Sequence, residues 1–129
     1  DNGKGHQYQR QRQPGGRTAD QLSDPLPIGF SLEFYGVAYT SFRISSNGFI
    51  TLGPDFQSDG CCSGGPIPAP FSPNNLIAAW WEDFNAPPGN IRFQTLGTPG
   101  DRELVVGFYG VAHYYNGPRV TWEIVLHEG

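Results

Sequence analysis

The feature that most constrains this chain is a period-two alternation of apolar and polar residues that returns along most of its length. Within residues 28–34 every second residue is Ile, Phe, Leu or Phe, and within residues 120–126 every second residue is Val, Trp, Ile or Leu. Successive side chains of a strand point to opposite faces, so this spacing predicts half-buried β-strands. No segment longer than one turn has the apolar period of a helix. The chain is therefore predicted to be all-β.

Seven strands are predicted, each short and each bounded by a turn signal. They are residues 28–35, 39–46, 49–52, 76–81, 91–95, 103–109 and 120–126. Asn47-Gly48 is the strongest hairpin signal, because both residues tolerate a positive φ. The other turns draw on the 18 Gly and 12 Pro of the chain. This pattern predicts an antiparallel β-sandwich of seven to eight strands, with jelly-roll-like or immunoglobulin-like packing.

The first 20 residues differ in composition from the rest of the chain. They carry a net charge of +2 and Tyr8 is their only large apolar residue, whereas the remainder carries −6. We predict a polar N-terminal arm over residues 1–20 and a sandwich domain over residues 21–129. The arm alternates Gln with other residues, which suits either a polar strand on an exposed sheet edge or an arm packed on its own domain. The candidate self-assembly residues are His6, Gln7, Tyr8, Gln9, Arg10, Gln11, Arg12 and Gln13.

The two ends of the chain suggest how copies could join. The last predicted strand is followed by no closing turn before Gly129, so we expect an unpaired sheet edge there. The opposite charges of arm and body favour docking of the arm on another copy. The leading hypothesis is a structural or adhesive module that forms a homo-oligomer or homopolymer, a filament in its sharpest form. An acidic body repels phosphate, so nucleic acid is not an expected partner.

Cysteine usage and hydropathy bear on where the chain works. Cys61 and Cys62 are adjacent in a Gly- and Ser-rich loop, and three states are open: a vicinal disulfide, bonds to another chain, or two free thiols. No apolar run is long enough to span a membrane. No signal peptide is visible, and we interpret the chain as a mature or trimmed product. We expect an extracellular or cell-surface location.

The acidic residues that follow the tryptophan pair are the strongest candidates for chemistry. Glu82 and Asp83 could act as an acid and base on a glycoside, but neighbours on a strand point to opposite faces. Asp83 and Asn85 form a weak calcium candidate without ordered ligand spacing. The three histidines are far apart, and no nucleophile elbow or phosphate loop occurs. We therefore predict no catalytic residues, no enzymatic activity and no cofactor beyond that calcium candidate.

Aromatic residues, 14% of the chain, are its main binding resource. Trp122 is in phase with the inward residues of its strand and is predicted to lie in the core. Trp81, Tyr114 and Tyr115 are the predicted surface contacts, and protein–protein contacts favour such residues. The alternative function is a monomeric carbohydrate-binding module, in which these rings stack on sugars. A glycan or another extracellular protein is then the partner.

Four segments, in this order, resemble the nidogen-like extracellular domain and related bacterial surface-protein modules. They are LPIGFSLEFYGVAYTSFRISSNGFITLG (Leu26–Gly53), NNLIAAWWEDFN (Asn74–Asn85), GNIRFQTLG (Gly89–Gly97) and RELVVGFYGVAHY (Arg102–Tyr114). The resemblance covers residues 26–129. It implies an extracellular β-sandwich used for adhesion or matrix building, usually as one part of a larger protein, and it carries over no catalytic residue.

Overall fold

The computed structural model describes residues 6–7, 22–55, 57–58, 60, 64–85, 90–113 and 117–129. These ranges contain nine β-strands and no helix. The strands are β1 (His6–Gln7), β2 (Leu26–Phe34), β3 (Val37–Ile44), β4 (Phe49–Leu52), β5 (Leu76–Ala78), β6 (Phe84–Asn85), β7 (Ile91–Leu96), β8 (Glu103–His113) and β9 (Val120–His127). The predicted all-β class is confirmed.

The strands form two antiparallel sheets. The first has the order β2-β3-β4-β5. In the second, β7 lies between β1 and β8, β9 pairs with β8, and β6 pairs with the C-terminal end of β8. Their apolar faces enclose one core, so the predicted antiparallel sandwich is confirmed.

All seven predicted strands are present, and two boundaries differ most: β8 continues to His113, four residues past its predicted end, and β5 ends three residues early. The strand predicted over residues 76–81 ends at Ala78. Beyond it the chain crosses the β3–β4 turn, where the amide of Glu82 donates to the carbonyl oxygen of Asn47 at 3.2 Å. These backbone groups bind the turn instead of extending the ladder to β4, so the strand stops early.

The core lies between the sheets, and its members follow the alternation seen in the sequence. Along β2 buried and exposed positions alternate, and along β9 the residues in phase with Trp122 are the less exposed set. Trp122 packs on the core as predicted, with its indole stacked on Phe108 at 4.6 Å between ring centroids. The buried core residues are Leu26, Ile28, Phe30, Leu32, Phe42, Ile44, Ile50, Leu52, Phe84, Ile91, Leu104, Val106, Phe108, Val111 and Ile124.

A carboxylate clasp joins the end of β9 to the β7–β8 turn. One oxygen of Glu128 accepts from the amides of Gly100 and Arg102, at 3.0 Å each, and from Nε of Arg102 at 2.9 Å. Its other oxygen accepts from Nη2 of Arg102 at 2.8 Å. The Arg102 side-chain hydrogen bond is the main reason that the pKa of Glu128 falls to about 2.

We expect this clasp to make stability depend on pH in the acid range. The pKa of Glu128 in the folded chain lies below that of an unfolded glutamate, about 4.3. Its contribution is therefore fully present above that value and is lost as the pH falls toward 2. Glu128→Gln should lower the Tm at neutral pH and flatten the Tm profile across this acid window, measured by circular dichroism. Glu33→Gln, at an exposed position of β2, is the control; an equal change in both variants would contradict the clasp.

Candidate contact surfaces

An apolar groove of about 520 Å³ lies between the β2–β3 turn and the loop that precedes β5. Three of its side chains are strongly exposed: Tyr35 at 92%, Phe71 at 77% and Ile67 at 59%. A folded domain seldom leaves large apolar side chains clustered in water, and such clusters mark contact sites. The groove, defined by Phe34, Tyr35, Ile67, Phe71, Leu76 and Trp81, is therefore a candidate contact surface.

The polar side chains beside this groove bind its own loop. The carboxamide oxygen of Gln57 accepts from the hydroxyl of Ser72 and from the amide of Asn74, both at 2.9 Å. The Ser72 hydroxyl also accepts from the amide of Ser58 at 2.7 Å. None of the described lining residues is charged. The groove thus offers rings and aliphatic surface, with few hydrogen-bonding side chains directed at a ligand.

Trp81, one of the predicted surface contacts, forms part of the groove wall. Its indole N–H donates to the carbonyl oxygen of Gly60 at 2.8 Å, and its ring centroid lies 5.2 Å from that of Phe49. The side chain is half-buried, so one face supports the loop while its edge reaches the groove. Tyr114 and Tyr115, the other two predicted surface contacts, lie outside the described residues.

The two edges of the second sheet are a second kind of candidate surface. On one side β1 pairs antiparallel with β7, with His6 opposite Phe93 and Gln7 opposite Arg92. The first two predicted arm residues thus lie along a sheet edge of their own chain. The rest of the predicted arm segment, Tyr8, Gln9, Arg10, Gln11, Arg12 and Gln13, lies outside the described residues, as do Cys61 and Cys62. On the other side, β9 pairs with β8 and with no further described strand.

The predicted acidic cluster has a structural explanation. The carboxylate of Glu82 accepts from the indole N–H of Trp80 at 2.8 Å and lies 2.8 Å from Nε2 of His113. The Trp80 hydrogen bond is the largest cause of the lowered pKa of Glu82, with burial opposing it and His113 adding to it. Both carboxylate oxygens are thus engaged: Oε2 binds Trp80 within the segment after β5, and Oε1 joins this segment to His113 at the end of β8.

The described part of the chain contains no group of three or more His, Cys, Asp or Glu side chains able to hold a metal ion. Asp83 is half-buried and has an interaction partner of its own. The calcium candidate formed by Asp83 and Asn85 stays a prediction.

Comparison with known families agrees with this architecture. The family model described as NIDO related matches residues 5–129. The chain belongs to the NIDO-related family. The resemblance to nidogen-like domains is thereby confirmed, and membership indicates an extracellular structural module in a family that is generally non-enzymatic. No curated protein and no solved structure matches the chain.

Hydropathy adds one observation about the NIDO-related domain. Among the described residues there is no helix with the length and apolar character needed to cross a membrane.

The groove side chains Tyr35, Ile67 and Phe71 were not predicted as contact residues from the sequence. The signal that could have found them is the Pro-rich loop over residues 66–73, too long and too apolar for a plain connection.

Proposed function

We propose that this NIDO-related domain is a non-catalytic extracellular structural or adhesive module that self-assembles. In this proposal the arm of one copy adds a strand to β7 of the next copy. The supporting observation is the pairing of His6–Gln7 with Phe93 and Arg92 at the edge of the second sheet. Strand addition of this kind takes its affinity from backbone hydrogen bonds, which suits a polar, Gln-rich segment.

The length of chain behind β1 makes exchange between copies feasible. Residues 8–21 separate β1 from the first bridge of the domain, between Leu22 and Ser45. Fourteen residues can extend to roughly 46 Å, which exceeds the width of a small domain. A two-residue strand also contributes little stability in its own chain, so replacing it by the same strand of a neighbour costs little.

The polarity of such an exchange decides the form of the assembly. An arm that leaves one copy and pairs with a different surface on the next makes a heterologous contact, and repeating it without closure makes an open filament. The net charges favour docking of the arm on a neighbouring copy, since residues 1–20 carry +2 and residues 21–129 carry −6. Long-range attraction between the two would steer the arm to a neighbour.

Proline substitution in β1 tests the proposal without removing the arm. His6→Pro combined with Gln7→Pro removes both backbone N–H groups, whereas His6→Ala with Gln7→Ala keeps them. We expect the proline variant to stay monomeric in sedimentation velocity and to form no fibres in electron micrographs, and the alanine variant to assemble like the parent. Deletion of residues 1–16 should match the proline variant. Fibres that persist in it, or a parent that stays monomeric at every concentration, would refute strand donation.

The alternative, a monomeric carbohydrate-binding module, is favoured by the exposed rings of Tyr35 and Phe71. It is opposed by the mostly apolar, uncharged lining of the groove, since sugar recognition needs hydrogen bonds as well as ring faces. The same samples on a glycan array separate the two functions. Binding by a monomeric parent that is lost in Trp81→Ala or Tyr115→Ala would replace the assembly proposal.

A further inference from the structure

Among the described strands, the long strands β2 and β9 each pair with only one other strand. Their free edges differ. The edge of β2 is blocked: the hydroxyl of Thr95 donates to the carbonyl oxygen of Ile28 at 2.6 Å, Pro27 has no N–H, and the register shifts between Pro27 and Leu32. Such features stop further strand addition. β9 has none of them between Trp122 and His127, because its one register shift with β8 lies between Val120 and Trp122.

The direction of one hydrogen bond shows which backbone groups of β9 are free. The amide of Glu128 donates to the carbonyl oxygen of Arg102, so the even-numbered residues of β9 face β8. In an antiparallel ladder, bonded and non-bonded pairs alternate. The N–H and C=O groups of Glu123, Val125 and His127 therefore point to the open edge, ready to pair with another strand.

We infer that this edge is a self-complementary interface, at which the β9 strands of two copies pair antiparallel about a two-fold axis through Val125. In this register Val125 faces Val125 of the second copy, and Glu123 faces His127 of the second copy on both sides of the axis. The interface goes beyond the arm contact, because it uses the opposite side of the same sheet.

Charge selects this register over its neighbours. Centring the axis on Glu123 places two carboxylates directly opposite each other, which destabilises a sheet. Centring it on Ile124 places Glu123 opposite Val125 and Thr121 opposite His127, with no charge paired. Only the Val125-centred register sets each carboxylate against an imidazole and joins two side chains that are each 40% exposed alone.

The side chains of Glu123 and His127 already have hydrogen-bonding partners on β8. His127 already places Nδ1 3.0 Å from Glu103 on β8, and Glu123 accepts from the hydroxyl of Tyr109 at 2.8 Å. Pairing brings Glu123 of the second copy to the remaining ring nitrogen of His127. In the pair, each imidazole then lies between two carboxylates, one from each copy.

A single strand pair buries less surface than a standard stable interface, about 800 Å² per partner. The β9 dimer is accordingly weak, and it becomes important where the arm contact already holds copies together.

Cysteine cross-linking tests the register. In the full chain with Cys61 and Cys62 replaced by serine, Val125→Cys places two thiols on the axis, at Cα atoms about 5.5 Å apart and within disulfide reach. Val105→Cys is the matched control, because Val105 lies directly beside Val125 on the inner strand β8. We expect a covalent dimer from Val125→Cys alone, including in the His6→Pro and Gln7→Pro background. Equal cross-linking of both variants, or none from Val125→Cys, would overturn the interface.

Charge reversal provides a second test in the unmodified cysteine background. Glu123→Arg replaces the carboxylate that faces each imidazole by a guanidinium at both ends of the pairing, and it should raise the dimer dissociation constant about tenfold. Adding His127→Glu restores opposite charges and should recover the parent value in sedimentation equilibrium. A double variant as weak as the single one would contradict the pairing of these residues.

Discussion

Gly48→Ala is expected to destabilise the domain by about 4 kcal/mol or more, one of the largest effects of any conservative change in this chain. A Cβ at this position would overlap the carbonyl oxygen of Trp80 and lie 3.2 Å from the ring of Phe84. The residue also has φ of 107°, which L side chains rarely adopt. To relieve this overlap, the segment after β5 would have to move away from the β3–β4 turn. That movement would also break the hydrogen bond between Glu82 and Asn47.

Gly36→Ala is the control that separates the steric overlap at Gly48 from the cost of a positive φ. Gly36 lies in the β2–β3 turn with φ of 79°, and nothing lies within 4 Å of an added Cβ. Its substitution should cost only the strain of a left-handed residue, about 1–2 kcal/mol. Urea denaturation of both variants measures the difference. Equal losses would mean that the turn tolerates movement of the Trp80 carbonyl group.

Local patterns explain why much of this fold could be predicted from the sequence. The alternation over residues 28–34 and 120–126 depends on burial of one strand face, and it identified β2 and β9 with their inward residues. The Asn47-Gly48 signal depends on backbone conformation alone, and it identified the hairpin. Both need only residues close in sequence, so no knowledge of partners was required.

Contacts between distant segments explain what the sequence did not predict. Gly48 has a second role, because the Trp80 carbonyl oxygen occupies the space that a side chain would need there. This contact depends on a segment more than thirty residues away. The groove joins Tyr35 to Phe71 across separate loops. Tyr35 was predicted only as the outward end of a strand, and Phe71 belongs to no periodic pattern. Phe84 was outside every predicted strand, because a strand of two residues is too short to show a period.

Phe84→Ala should be the most damaging core truncation outside the predicted strands. The side chain is fully buried, and its ring lies 5.0 Å from those of His113 and Trp122 and 5.8 Å from that of Trp80. Removing a buried ring leaves a cavity as well as losing its transfer free energy, and we expect a loss of about 3–5 kcal/mol. Urea denaturation measures this loss, and Phe84→Leu should lose much less.

Phe71→Ala is the matched truncation at the surface, since the same ring is removed where it is 77% exposed. The stability of this variant should stay within about 0.5 kcal/mol of the parent, because the lost ring was already in water. A loss like that of Phe84→Ala would mean that the groove is part of the core and is held together by its own rings. An unchanged free energy of unfolding would instead leave contact with another molecule as the remaining physical reason for a phenylalanine at that position.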